Sequence, residues 1–414
     1  MMLSSVSKLR GLKIIPVKGL SALYHHVVPD ALVKENGGLL EYSVVYTDRA
    51  LNHMSEPFKG VMTGLHASLC AAYNTDHCIL VPGSGSAGME AAARAFAGSD
   101  EDPVVVIRNG YFSYRWSEIF DCLGNEKVVV CKAGPLGGAW KKGSALAPPL
   151  IDEVVETIRT TAPRLICAPH VETSTGIILP NDYIRRVAAA AQEVGAVFVL
   201  DGIAAGGEWA DMRALGVDCY LTAPQKGWSG PASSGVVLLN SKAMQVAKQQ
   251  DAKIKSFALN LNKWSSVMEA YLGGGHAYHA TMPTDALRGF YKTVRETEDA
   301  GLEDMRQATW ALGKGVRKVL QERGFESVAA PGFDAPGVVV VYSDSAINYP
   351  AEFASTGLQI AAGVPPKLGE PEDFSTFRIG LFGIDKLLDV DRTISCFTTA
   401  LDSVISQNLS TKAA

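Results

Sequence analysis

The sequence predicts an α/β protein: a mostly parallel seven-stranded sheet with helices on both faces, followed by a smaller C-terminal α+β domain. Three observations carry that prediction. Between residues 78 and 240, seven short apolar runs alternate with helical patterns. The runs do not alternate apolar with polar, so their strands are buried on both faces, as in a parallel sheet covered by crossover helices. Beyond Ser256 the pattern changes to long helical stretches around two isolated strands. The implied organisation is an N-terminal arm over 1–55, a large domain over 56–290 and a small domain over 291–414.

In chain order, the strand candidates are 79–81, 104–107, 128–131, 165–168, 197–200, 219–222 and 236–239. Helical spacing falls between them at 89–96, 151–160, 182–194 and 210–215. The C-terminal part offers one long helical stretch over 284–323, strands at 338–341 and 377–381, and a last helix over 389–404 before a polar, frayed end at 407–414.

Composition narrows the function. The chain has 414 residues, 47% of them apolar and 20% charged, which suits a soluble globular protein. A net charge of -5 gives no basic footprint for nucleic acid or an acidic membrane, so the expected partner is a small molecule. The seven cysteines are scattered, without CxxC or zinc-like spacing, and are expected to be small buried residues in a reducing compartment. No apolar run approaches the roughly 18 residues of a membrane span. Residues 1–29 carry Lys8, Arg10, Lys13 and Lys18 and no acid. They read either as a basic surface arm of a cytoplasmic protein or as a mitochondrial transit peptide.

In a doubly wound sheet, ligands sit outside the carboxyl ends of the strands, and the chemically suggestive residues fall there. Gly83, Ser84, Gly85, Ser86, Ala87 and Gly88 follow one strand and open one helix, a geometry that presents backbone N–H groups to an anion. A dinucleotide loop has the same glycine spacing, but it needs an acid ending the next strand, where this chain has Arg108, Asn109 and Gly110. A purely structural turn fits the same letters. Lys226 lies in a tight loop with Pro224, Gly227, Trp228, Gly230 and Pro231, where desolvation would favour the neutral, nucleophilic amine. Asp201 ends an earlier strand. Together the two match the ends of pyridoxal 5'-phosphate, with Lys226 carrying the Schiff base and Asp201 keeping the ring nitrogen protonated. Singly, they read as a solvated lysine and a helix-capping acid. Arg378, within an apolar strand, is either a fork for a substrate carboxylate or half of an internal salt bridge.

Taken together, residues 60–390 resemble the class V aminotransferases of fold type I, in the branch of the alanine/serine:glyoxylate and 2-aminoethylphosphonate:pyruvate aminotransferases. The motifs are the glycine loop ending in Met89, Glu90 and Ala91; Asn109 and Gly110; the run from His170 to Gly176; Asp201 and Gly202; Gln225 and Lys226; and Tyr278, His279, Ala280 and Thr281. The resemblance implies that Gly85, Ser86 and Ala87 bind the cofactor phosphate with help from Gln225. It implies that Phe112 stacks on the pyridine ring and that Thr173 hydrogen-bonds near the ring hydroxyl. Tyr278 and Thr281 would reach the neighbouring subunit's cofactor, making a homodimer with shared active sites, and Arg378 would clamp the carboxylate.

The implied activity moves an amino group from a small amino acid of alanine or serine type to a 2-oxo acid such as glyoxylate or pyruvate. The alternatives are 2-aminoethylphosphonate:pyruvate transamination and a lyase of the same fold. A cysteine desulfurase is disfavoured, because no cysteine lies between Cys219 and Cys396. No metal is expected. The chain departs from the family at Val45 to Met54, where relatives have a Gly/Pro-rich turn. Arg49 in this stretch either reads a distal acidic group of the substrate or is an ordinary surface residue.

Overall fold

The computed structural model describes residues 34–97, 101–141 and 143–413. The acid-free stretch 1–29 lies outside them. All seven apolar runs become strands of one sheet: β1 (His77–Pro82), β2 (Val104–Arg108), β3 (Val128–Lys132), β4 (Leu165–Pro169), β5 (Val197–Asp201), β6 (Cys219–Thr222) and β7 (Ser234–Leu239). Their spatial order is β1-β7-β6-β5-β4-β2-β3. Strands β2, β4, β5 and β6 are buried along their whole length, which explains why their sequences are apolar without alternation.

Six strands run in one direction and β7 runs against its neighbours β1 and β6. The reversal follows from the connection. A parallel return needs a crossover of a dozen or more residues, usually a helix, whereas 223–233 is a loop without one. Lys226 therefore sits on a link between adjacent antiparallel strands rather than on a crossover.

The helices between strands are α2 (Gly85–Phe96), α3 (Tyr111–Cys122), α4 (Ile151–Thr161) and α5 (Asn181–Val194), preceded by α1 (Glu56–Tyr73). In α5, Tyr183, Ile184, Val187, Ala188 and Ala191 form one buried stripe, and Gly195 ends the helix at φ +73°. Several helices went unforeseen, among them α1 and α3. In α1, Ser55 caps the start by accepting from Phe58 N at 3.3 Å, and Phe58, Met62, Leu65 and Leu69 are buried in the main core. In α3, Trp116, Ile119 and Phe120 are buried while Phe112 and Arg115 face a cavity.

After α6 (Ser241–Gln249) and α7 (Leu261–Leu272), the expected long helix is two helices, α8 (Thr284–Asp299) and α9 (Leu302–Gln321). Gly301, at φ +88°, makes the break. Leu287, Phe290 and Val294 of α8 join the main core, whereas Leu312, Val316 and Leu320 of α9 join a second core. That second core lies under a three-stranded antiparallel sheet of β8 (Val338–Tyr342), β9 (Ala361–Ala362) and β10 (Thr376–Gly380), ordered β8-β10-β9. The last helix, α10 (Val390–Ala413), continues past the expected stop near 404.

The cysteine expectation needs correction. Cys78, Cys167 and Cys219 are buried, but Cys122 and Cys396 are exposed, each on the solvent side of a helix. Among the described residues no helix is long and apolar enough to cross a membrane, and no group of acids, histidines or cysteines could hold a metal ion.

Candidate active site

The loop from β1 into α2 is shaped by close backbone approach. Gly83 takes φ +127°, and a Cβ on Gly85 would lie 2.6 Å from Ile203 Cδ1. Gly235 of β7 lies against the same turn, where a Cβ would meet Gly88 N at 2.6 Å and Ser84 O at 2.8 Å. The amides of Ala87 and Gly88 both donate to Ser84 O. Among the described residues, those of Ser84, Gly85 and Ser86 have no acceptor, so three donors at the positive end of α2 point at the cavity mouth. Ala87, expected to bind phosphate, does not line the cavity, because its N–H is already used within the turn.

Glu172 organises the opposite wall. It sits in a two-stranded hairpin (Val171–Glu172 with Ile177–Ile178) that follows β4, and it is fully buried. Its carboxylate accepts from Phe112 N (3.2 Å), Ser113 N (2.8 Å), Ser113 Oγ (2.7 Å), Ser174 N (3.0 Å) and Ser174 Oγ (2.8 Å). A buried carboxylate is tolerable only when its oxygens are saturated in this way, and these donors include orphan amides of the first turn of α3. Gly110 is required beside it, since a Cβ there would fall on Ser174 Oγ and Glu172 Cγ. The first turn of α3 is thereby pinned, and it aims Phe112 and Arg115, one turn apart, into the cavity.

Asp201 ends β5 with its carboxyl group buried, and Oδ1 accepts from Ile203 N at 3.1 Å. Burial pushes its pKa up to about 7; the Ile203 hydrogen bond opposes that, nearby Glu172 adds to it, and Arg115 opposes it. Behind it, His170 Nδ1 lies 3.0 Å from Tyr220 Oη, and burial pushes the imidazole down to about 4, so the ring is neutral. His170 N donates to Asp201 O at 2.7 Å, which ties the strand end to the hairpin.

The Lys226 loop is tight because Gly227 lies against the backbone of Gly206, leaving no room for a Cβ on Gly227. Trp228 is fully buried, with Nε1 donating to Tyr73 Oη at 3.2 Å. Lys226 Nζ stands 5.4 Å from the centre of the Phe382 ring. Its pKa is lowered by burial first, then by Arg378 and Arg115. Arg378, on β10, donates Nε to Ala362 O at 2.8 Å, and no carboxylate among the described residues lies within ion-pair distance of it. The internal salt bridge is thus not formed among the described residues, and Arg378 lines a cavity.

Two adjoining cavities result. The inner one, about 190 Å³, is lined by Gly85, Ser86, Phe112, Arg115, Thr173, Asp201, Gln225 and Lys226 among others. The outer one, about 430 Å³, is lined by Phe112, Thr173, Lys226, Val338, Gln359, Ile360, Ala361, Arg378, Gly380 and Phe382. Of the residues expected at the site, Tyr278 and Thr281 line neither. They are exposed, 3.0 Å apart through their hydroxyl oxygens. Arg49 is exposed as well and lines neither cavity. The sequence reading missed Glu172 as an anchor, and it missed Arg115 and Phe382 as lining residues. Helical spacing from Phe112 was a usable signal for Arg115.

The donor set fits pyridoxal phosphate: free amides at a helix N-terminus for the phosphate, an aromatic face, and a buried carboxyl group with one hydrogen bond and no cation against it. Because the folded pKa of Asp201 lies above the unfolded value of about 3.9, folded protein holds the proton longer. Stability therefore falls as pH rises from about 4 to about 7, and the full cost persists above that. Asp201→Asn should stabilise cofactor-free protein relative to wild type increasingly from pH 4 to 7, by at most about 4 kcal/mol, and then level off. Urea unfolding across pH 4–9 measures this, and a pH-independent difference would contradict the buried acid.

Comparison with known proteins agrees with this site. The family described as Aminotransferase class-V matches residues 28–341. The chain is 27% identical to a 2-aminoethylphosphonate–pyruvate transaminase of Vibrio parahaemolyticus, over 78% of this chain and 83% of that protein. It is 25% identical to alanine–glyoxylate aminotransferase 1 of Saccharomyces cerevisiae, over 76% and 80%. Ureidoglycine–glyoxylate aminotransferase from Bacillus subtilis has the same fold, with TM-score 0.72 at 20% identity over 92% of this chain and 90% of that one. The chain belongs to the class-V aminotransferases and is a fold type I, pyridoxal-phosphate-dependent transaminase.

Proposed function

We propose that the protein moves the amino group of a small amino acid of alanine or serine type to a short 2-oxo acid such as glyoxylate or pyruvate. The supporting observation is that Lys226, Phe112 and Thr173 line both cavities, so one amine serves the cofactor side and the substrate side. When bound, pyridoxal phosphate supplies the aldehyde that takes the amino group and the ring that absorbs the electron pair left at the substrate α-carbon. Ser84, Gly85 and Ser86 would hold its phosphate, Phe112 and Thr173 would contact its ring, and Asp201 would keep its ring nitrogen protonated. Gln225 borders the same cavity. Lys226 Nζ, whose pKa is lowered by burial and by two guanidiniums, would carry the proton between the substrate α-carbon and the cofactor as general base and acid.

Arg378 sets which substrates dock. Its Nε is occupied by Ala362 O, so both terminal nitrogens are left to take one carboxylate in two-point contact. No acidic residue lines the outer cavity, and Val338, Ile360, Ala361 and Phe382 surround the remainder of the substrate. A donor with one anionic group and a small side chain suits this lining. The Vibrio relative favours a second reading, in which Arg378 holds the phosphonate of 2-aminoethylphosphonate.

Tyr278 and Thr281 support a homodimer in which this exposed hydroxyl pair reaches the phosphate held by the second copy. Phe257 and Tyr278 expose apolar surface on the same face. Sedimentation of cofactor-loaded protein should report a dimer; a fully active monomer would contradict this assembly.

Half-reaction measurements test the chemistry. Mixing loaded enzyme with alanine, serine or 2-aminoethylphosphonate should change the visible absorbance of the cofactor with one donor class. Lys226→Ala should lower turnover roughly a thousandfold or more. Ammonia released without a 2-oxo acid would make the protein a lyase instead.

A further inference from the structure

Arg115 is half-buried at the edge of the inner cavity, and nothing in the reading above uses it beyond its field. Its Nη1 donates to Ser86 Oγ at 2.9 Å, and its Cζ lies 5.3 Å from the centre of the Phe112 ring. A guanidinium carries five N–H donors, yet Ser86 Oγ is the single acceptor that Arg115 meets among the described residues, and no carboxylate lies within ion-pair distance of it. A partly desolvated cation with one neutral acceptor is unfavourable unless an anion completes it. Of the acids lining the inner cavity, Glu172 is saturated by its five donors, and Asp201 accepts from Ile203 N.

The position of Arg115 says which anion it completes. Ser86 is in the first turn of α2, beside the three free amides, so the contact puts the guanidinium at the rim of the phosphate cradle. Because Ser86 Oγ accepts from Arg115, its own O–H proton is left to donate toward the cradle. Two guanidiniums lie near the Phe112 ring, Arg115 at 5.3 Å and Arg378 at 5.5 Å from its centre. Arg115 stands on the cradle side and Arg378 on the substrate side, since only Arg115 lines the inner cavity and only Arg378 the outer.

We propose that Arg115 is a further cofactor-anchoring residue, which supplies the side-chain positive charge for the cofactor phosphate and sets the hydroxyl of Ser86 toward it. This rests on the pyridoxal phosphate site described above. The same cation favours ionised Asp201 and neutral Lys226, the two states that transamination needs.

The test compares two ligands that differ only in the phosphate. Cofactor-free wild type, Arg115→Gln, Arg115→Lys and Ser86→Ala are titrated with pyridoxal 5'-phosphate and with pyridoxal, and their thermal unfolding is recorded. Wild-type binding with absorbance that depends on Lys226 establishes the site itself; its failure would be a failure of the earlier reading, visible before any Arg115 variant is read. Arg115→Gln should weaken pyridoxal phosphate binding about 10- to 100-fold, the span of one charge-assisted contact, while pyridoxal binding stays within about twofold. Arg115→Lys should recover most of the loss, and Ser86→Ala should reproduce a smaller part of it. Equal weakening of both ligands would overturn the proposal by making Arg115 a support of α3. Unchanged affinity with a raised substrate KM would overturn it by assigning the guanidinium to the substrate.

Discussion

The carboxylate of Glu172 is buried with no ion-pair partner among the described residues, and it survives there by taking N–H and O–H groups from the first turn of α3 and from Ser174. That single arrangement joins the hairpin after β4 to the helix after β2. It fixes where Phe112 and Arg115 stand over the cavity, and it forces Gly110 by leaving no space for a Cβ. The sheet supplies the floor: β5 ends at Asp201 and β6 runs into the Lys226 loop, held in parallel register through Leu221 and Asp201. Apart from the Lys226 loop, the parts of the site are strand ends and helix starts.

Charge is distributed across this frame in a consistent way. Positive groups, Arg115 and Arg378, flank the Phe112 ring, and the free amides at the start of α2 add partial positive charge. The one acid left to meet a cation is Asp201, whose burial raises its pKa and makes a protonated nitrogen its natural partner. Lys226 lies between them in surroundings that disfavour its charged form. An anionic cofactor with a basic ring nitrogen relieves each of these costs at once.

Much of this was legible in the sequence because burial leaves a mark on composition. The runs 104–107 and 197–200 suit strands buried on both faces, and the residues ending them fell at the carboxyl edge. Lys226, Asp201, Phe112, Thr173 and Arg378 all line the two adjoining cavities. The reversal of β7 was not legible, since its apolar run looks the same in either direction and only the helix-free loop before it hints at an antiparallel return. The anchoring by Glu172 was hidden for a different reason: its partners in α3 are 59 and 60 residues away in the chain, and no local pattern joins them. The end of α8 did carry a signal, Gly301 within an otherwise helical stretch. The unused donors of Arg115 are visible only in three dimensions.

Glu172 holds Phe112 and Arg115 in place through the start of α3. Glu172→Gln keeps the shape but turns half of the acceptor into a donor facing other donors. The direct measurement is the affinity of the purified variant for pyridoxal 5'-phosphate, read beside its unfolding free energy in urea. The account predicts cofactor binding weakened by at least about tenfold together with a stability loss of roughly 1–3 kcal/mol, the cost of orphaned buried donors. Wild-type affinity and wild-type stability in that variant would contradict it.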